Sequence, residues 1–204
     1  MRIRAATTQD VEPASKLLLE LPGGLRDLFA KPDTAERVAR GAFVAGRSVL
    51  SHRHTIIVED GGRPVALMVR LSGRDWRRLR LSTGVAMIRA AGPAETPGLI
   101  RRGRIQDRLI PAVAHDTLYL PAMAVSRERR SQGIGSLLVL RAMGEAAERG
   151  FRSVSLDVDA SNAGAIRLYQ RAGFHRLSEH RIDAVGKGRA GGSVRMERSV
   201  DGRS

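Results

Sequence analysis

The amino-acid sequence predicts an α/β (α+β) domain, a sheet with helices on its faces, and three observations point to it. Segments with the two-residue period of strands alternate with segments of helical period along the chain. The apolar runs HTIIVED and PVALMVRLS are joined through Glu59-Asp60-Gly61-Gly62-Arg63, a turn that makes them an antiparallel hairpin. In the second half, a strand-like run is twice followed by a polar turn and an amphipathic helix, across residues 117–150 and 151–173. With 204 residues, 42% of them hydrophobic, the chain can bury a full core, and one domain over 1–204 is expected. Its parts are N-terminal strands and helices (1–72), an insertion (73–116) and a core with C-terminal strands (117–200).

Each element follows from its residues. RIRAAT reads as a short first strand, and Asp10 can cap a helix through VEPASKLLLEL, with Pro13 tolerated in its first turn. Pro22-Gly23-Gly24 breaks that helix, and a second covers TAERVARGAFVA with Asp33 or Thr34 as cap. After the hairpin, LSTGVAMIRAA has helical spacing, GPAETPG is a connector, and LIRRGRIQDRLI reads as a basic amphipathic helix. TLYLPAMAV is a strand whose Pro121 has no N–H to give a ladder, and so marks an edge, a bulge or a place where neighbouring strands part. A helix then faces the core with Ile134, Leu137, Leu138, Ala142 and Ala146 until Gly150 stops it. FRSVSLDVDASN puts Val154, Leu156 and Val158 on one strand face and Ser155, Asp157 and Asp159 on the other. Asn162 caps a last helix with Ile166 and Leu168 inward, Gly173 ends it, and GKGRAGG (186–192) is a loop between two late strands.

Composition narrows the function classes. Without cysteine there is no disulfide, thiolate ligand or cysteine nucleophile, which agrees with an intracellular setting. MRIRAATTQD lacks the apolar core of a secretory leader, and Arg, Gly or Pro interrupts every long apolar run. A cytoplasmic protein with no membrane partner is expected. The formal net charge is +14, and between residues 70 and 108 ten arginines face only Asp75, Glu95 and Asp107. Such charge can bind polyphosphate through counterion release, but with 3% aromatic residues there is little to stack on bases, and a solvated basic surface is favoured over a nucleic-acid site. His52 and His54 have no third ligand in view, so no metal is expected, and His115-Asp116 reads as a loop pair.

The stretch RERRSQGIGSLL (127–138) concentrates arginine and glycine at a strand-to-helix turn. A helix start exposes unpaired N–H groups and partial positive charge, glycine lets an anion approach the main chain, and arginine adds formal charge. That combination suits a pyrophosphate. No Gly-Lys-Ser/Thr follows, so it is not a P-loop, and Leu138 stands where G-x-G-x-x-G needs its third glycine. Taken alone, the turn also fits a tight connection with surface charge.

The succession of a strand, R-x-x-G-x-G (Arg130, Gly133, Gly135), a helix, the strand SLDVDASN, and N-x-x-A-x-x-L-Y-x-x-x-G-F (Asn162, Ala165, Leu168, Tyr169, Gly173, Phe174) resembles the GNAT superfamily of N-acetyltransferases over residues 118–180. The resemblance implies a mixed, mostly antiparallel sheet of about seven strands, with the fourth and fifth splayed into a cleft and a helical insertion before the fourth. It implies acetyl-CoA as cosubstrate, its pyrophosphate cradled by Arg130, Ser131, Gln132, Gly133, Ile134, Gly135 and Ser136, and its pantetheine arm lined by Met123, Ala124 and Val125. Asn162 matches a cofactor-side asparagine, and Tyr169 the tyrosine that protonates the departing thiolate. Asp157 stands where some subfamilies carry an acid and is the favoured proton acceptor. Family members commonly dimerise, so a homodimer is among the implied partners.

Three readings follow: an N-acetyltransferase acting on a primary amine of a small molecule or peptide, a non-catalytic acyl-CoA sensor, and a basic nucleic-acid module. Direct transfer from a thioester to an amine asks for geometry, an oxyanion donor and an acid near sulfur, without a covalent nucleophile.

Overall fold

The strand-period segments assemble into one sheet in a computed structural model that describes residues 1–22, 24–109, 112–185 and 189–201. Its strands are β1 (Arg2–Ala5), β2 (Thr55–Asp60), β3 (Arg63–Ser72), β4 (Thr117–Val125), β5 (Ser153–Asp159), β6 (His175–Val185) and β7 (Arg189–Ser199). They lie in the order β1-β2-β3-β4-β5-β7-β6, antiparallel throughout except for the β4–β5 pair. The helices are α1 (Val11–Leu19), α2 (Leu25–Leu28), α3 (Pro32–Val44), α4 (Gly73–Ala91), α5 (Thr96–Leu109), α6 (Ile134–Glu148) and α7 (Ala163–Arg171).

Two apolar layers hold the sheet. On one face, Ile134, Leu138, Val139 and Ala142 of α6 with Ile166 and Tyr169 of α7 pack on Leu118, Leu120, Val154, Leu156 and Val158. On the other, Leu17 and Leu18 of α1 and Phe43 of α3 cover Ile57, Leu67 and Val69, while Trp76 of α4 covers Leu71 and Tyr119. The insertion expected from the sequence is helical, but α4 begins directly at Gly73, where the Ser72 hydroxyl caps the Asp75 N–H at 3.0 Å. The connector shrinks as well, because α5 starts at Thr96 and Glu95 is buried, accepting from the Thr34 hydroxyl at 2.9 Å.

Three local expectations are corrected. The helix expected to be capped by Asp33 or Thr34 starts at Pro32, whose missing N–H costs nothing in a first turn. The loop expected at 186–192 narrows, since Arg189, Gly191 and Gly192 pair with Val185, Ile182 and Arg181, and residues 186–188 lie outside the described residues. Asp10 precedes α1 but does not cap it with its side chain. Its carboxylate instead takes two bonds from Arg4, at 2.8 and 2.6 Å, and one from the Thr7 N–H at 2.7 Å.

Asp10 therefore predicts an acid dependence. The Arg4 hydrogen bonds, ahead of the other causes, pull its pKa down to about 2 from 3.8. A group depressed on folding stabilises above its unfolded pKa and loses that contribution as pH falls through its folded pKa. About 2 kcal/mol of stability is expected to vanish between roughly pH 4 and pH 2. Urea midpoints across that window should fall in the parent chain, and by less in Arg4→Ala; an equal fall in both would refute the assignment.

Among the described residues, no helix is long and apolar enough to cross a membrane, and no cluster of three or more His, Cys, Asp or Glu could hold a metal ion.

Candidate functional site

Pro121 does two of the three things expected of it. β4 and β5 pair only from Thr117↔Ser153 to Leu120↔Leu156, so the strands part at the proline and residues 121–125 continue without a β5 partner. At the same place β4 bulges against β3, because Val69 and Leu71 face Ala122 and Tyr119 respectively and three steps on one strand match two on the other. The bulge reverses the phase of the side chains. Leu118 and Leu120 face α6 and α7, whereas beyond the bulge Met123 and Val125 take that face and Ala122 and Ala124 turn to the α1 side. Of the three residues expected along the pantetheine arm, Met123 and Val125 thus share a face and Ala124 does not.

The glycine turn lies beyond the open end of β4. Ser126 starts a short 3-10 turn (Arg127–Arg129), Ser131 adopts φ +63°, and Gly133, at φ +80°, is the N-cap of α6. The first bond into the helix is Leu137 N–H to the Gly133 carbonyl at 3.0 Å. Among the described residues, none of the six N–H groups from Ser131 to Ser136 has an acceptor. Ser131, Gln132, Gly133 and Ser136 are exposed, so these donors at the positive end of α6 are open to an anion.

The two glycines have different jobs. A Cβ on Gly133 would meet no atom within 4 Å, leaving room for a ligand, whereas a Cβ on Gly135 would come to 2.8 Å from Leu168 Cδ2. Gly135 serves the contact between α6 and α7. Gly135→Val is expected to cost roughly 1–3 kcal/mol of stability through overpacking, measured by denaturant unfolding, and Leu168→Ala should recover part of it; no loss in the single variant would show that the helices give way freely.

The arginines of the turn are partly engaged. Arg130 donates from Nε to the Val125 carbonyl at 3.1 Å and lies 3.4 Å from Glu20, while Arg127 lies 3.7 Å from Glu20. Arg129 pairs with Asp60 of the hairpin, and the Gln132 amide donates to the Glu128 carbonyl at 3.2 Å, so the turn is tied to its surroundings through side chains while its main-chain donors stay free. Asn162 uses its Oδ1 to cap α7, accepting from Ala165 N–H at 3.1 Å.

The two expected catalytic residues fall on opposite faces of the sheet. Tyr169 sits in the cluster with Ile134 and Val158, packed 5.9 Å from the Phe174 ring. Burial alone raises the pKa of its hydroxyl above the ordinary 10.0, and among the described residues no group hydrogen-bonds to it. Asp157 points to the other face and is heavily engaged. Arg195 donates to its two oxygens at 2.9 and 2.7 Å, and the Tyr119 hydroxyl donates at 2.8 Å. Tyr119 is stacked edge-on against Trp76 at 4.7 Å and lies under the Arg195 guanidinium at 5.3 Å. Burial first, and the Asp157 charge second, push the Tyr119 pKa well up. Arg195 also donates to the Ala112 carbonyl at 3.3 Å, joining the network to the chain after α5.

Sequence reasoning did not find Tyr119, Trp76 or Arg195. A signal existed in SVRMERS, where Val194 and Met196 are buried on one face and a lone arginine is left for the other. The order of strands that brings it opposite Asp157 was not visible. Ser155, on the Asp157 face and 1% exposed, has a hydroxyl with no partner among the described residues.

The sequence profile of the Acetyltransferase (GNAT) family matches residues 25–174. This chain belongs to the GNAT acetyltransferase family. The GNAT domain is 34% identical over 83 residues to the [Ribosomal protein bS18]-alanine N-acetyltransferase of Escherichia coli K12, a match covering 41% of this chain and 56% of that enzyme, so it spans about half of the relative's length. The GNAT fold agrees with the crystal structure of an N-acetyltransferase from Staphylococcus aureus Mu50 at TM-score 0.73 and 18% identity, covering 97% of this chain and 100% of that one. A Salmonella typhimurium protein, yncA, solved with its cofactor acetyl-CoA, superposes at TM-score 0.60 and 16% identity over 100% of this chain and 96% of its own.

Proposed function

We propose that this GNAT chain acts as one acetyltransferase unit that transfers an acetyl group from acetyl-CoA to a primary amine of a small molecule or polypeptide. The observation that carries the reading is the run of free N–H groups from Ser131 to Ser136 beside the gap that opens between β4 and β5 at Pro121. The donors suit a pyrophosphate, and the unpaired edge of residues 121–125 suits the amides of a pantetheine arm. Relatives named for acetylating a ribosomal-protein alanine favour a polypeptide amine among the acceptors.

Acetyl-CoA supplies the acyl group already activated as a thioester. In this reading the cosubstrate lies on the α6 side of the gap and the amine on the opposite side. The amine lone pair forms the C–N bond as the C–S bond breaks, and the sulfur takes the proton held by Tyr169. Burial keeps that phenol protonated at neutral pH, as an acid must be before it donates. The proton lost by nitrogen leaves to water and the tyrosine is reprotonated from it. Asp157 was the proton acceptor expected from the sequence. Its grip by Arg195 and Tyr119 supports a different reading, in which it is a positioning carboxylate that fixes those two side chains on the acceptor face. The cytoplasmic setting, a homodimer, and an acceptor met without membrane or nucleic acid belong to the same proposal.

Calorimetry tests it. CoA is expected to bind the parent chain and to lose at least about tenfold in affinity in Gly133→Val, which strains the φ +80° cap and fills the open space above it. A folded parent chain giving no heat with CoA would end the reading. Thiol release with an amine panel then separates an enzyme from a sensor.

A further inference from the structure

At the other end of the strands, a second concave site is lined by Gly46, Arg47, Arg53, His54, Asp75, Arg78 and Leu79, with a volume of about 530 Å³. His54 immediately precedes β2, and Asp75 lies in the first turn of α4, which follows β3. Ser72, at that end of β3, pairs with Leu118, whereas Ala66 pairs with Val125 next to the glycine turn. Seven strand residues separate those levels, about 23 Å along the sheet. The cavity is therefore remote from the glycine turn.

Its wall is built and positively charged. The loop before β2 is fastened to α4 by two bonds, Ser82 Oγ to the Arg47 carbonyl at 3.0 Å and Val49 N–H to Thr83 Oγ1 at 3.0 Å. The His54 carbonyl accepts from Arg70 Nη1 at 3.2 Å, which fixes the histidine from below. Among the described residues, no carboxylate lies within 4.0 Å of the guanidinium groups of Arg47, Arg53 or Arg78. Three unpaired cations thus line a cavity whose lining holds one acid. That acid, Asp75, is fixed by accepting from the Ser72 hydroxyl at 2.7 Å through Oδ2, and its Oδ1 remains free to accept. Burial is the main cause lowering the His54 pKa, so the imidazole is neutral at pH 7 and offers one donor and one acceptor.

We infer that this cavity binds a small organic phosphate, its phosphate held by Arg47, Arg53 and Arg78 and a hydroxyl or amino group held by Asp75 and His54. Guanidinium forks match phosphate oxygens, and the volume lies in the range of small-molecule sites. The Asp75 carboxylate repels a bare phosphate and accepts from a hydroxyl or amino group, so the site favours an organic ester over inorganic phosphate. The inference does not rest on the acetyltransferase reading.

The test is calorimetry with the full chain saturated with CoA, so that the helix α6 donors are occupied, using glucose 6-phosphate and inorganic phosphate as probes. Glucose 6-phosphate is expected to bind more tightly than inorganic phosphate, and Arg53→Ala and Arg78→Ala should each weaken it by about tenfold. Both side chains are exposed, and an unchanged urea midpoint reports that the variants fold. Equal binding of the two probes would overturn the assignment of the organic part. Binding untouched by both substitutions, or no binding of either probe, would overturn the site.

Discussion

Arg195→Ala should lower the unfolding free energy by about 3–5 kcal/mol, the largest loss expected from any single side chain of the candidate site. The Arg195 and Asp157 side chains are 4% and 8% exposed, and the arginine gives the carboxylate two of its three hydrogen bonds from side chains. Removing the guanidinium leaves a buried negative charge with only the Tyr119 hydroxyl, and frees the Ala112 carbonyl that it also holds. The cost comes mainly from the charge left behind. Asp157→Asn on the Arg195→Ala background should therefore recover part of the stability, because a neutral amide is cheaper to bury. Urea unfolding of the two single variants and the double gives the coupling; a loss below about 1 kcal/mol in Arg195→Ala would mean that the pair is solvated and does not organise the acceptor face.

Tyr169→Phe should reduce turnover by about a hundredfold or more, while CoA affinity stays within about twofold. The substitution keeps the ring that packs against Phe174 and removes a hydroxyl that bonds to no group among the described residues. Stability should hardly change, so a fall in rate reports chemistry. Pre-steady-state acetyl transfer and CoA titration separate the two quantities. Equal losses in turnover and affinity would make Tyr169 a binding residue, and an unchanged rate would remove it from the mechanism.

Much of the site was legible because its signals are local. Free amides at a helix start depend on neighbouring residues alone, and RSQGIGS announced them without reference to the rest of the chain. Pro121 was equally readable, since a residue with no N–H must interrupt a ladder. The interruption is both a bulge towards β3 and a parting from β5. What resisted was non-local. Gly135 looked like half of an anion cradle, but a side chain there would also crowd Leu168, 33 positions away and on another helix. Asp157 looked like a free acid because nothing near it in the chain carries a positive charge within reach. Its partner Arg195 arrives only when β7 inserts beside β5.

The sequence by itself determined the alternation of strands and helices, the helical character of 81–91 and 99–109 and the glycine turn at 131–136, because backbone geometry, capping and hydrophobic period act over a few residues. Tertiary structure alone decided which face each catalytic candidate occupies, that Asp157 is bound by Arg195, and that three arginines from two separate segments share one cavity. Those outcomes depend on strand order and helix packing, while the one-residue bulge in β4 decides which faces Met123, Ala124 and Val125 take, because a change of register by a single residue moves every later side chain of a strand to the opposite face.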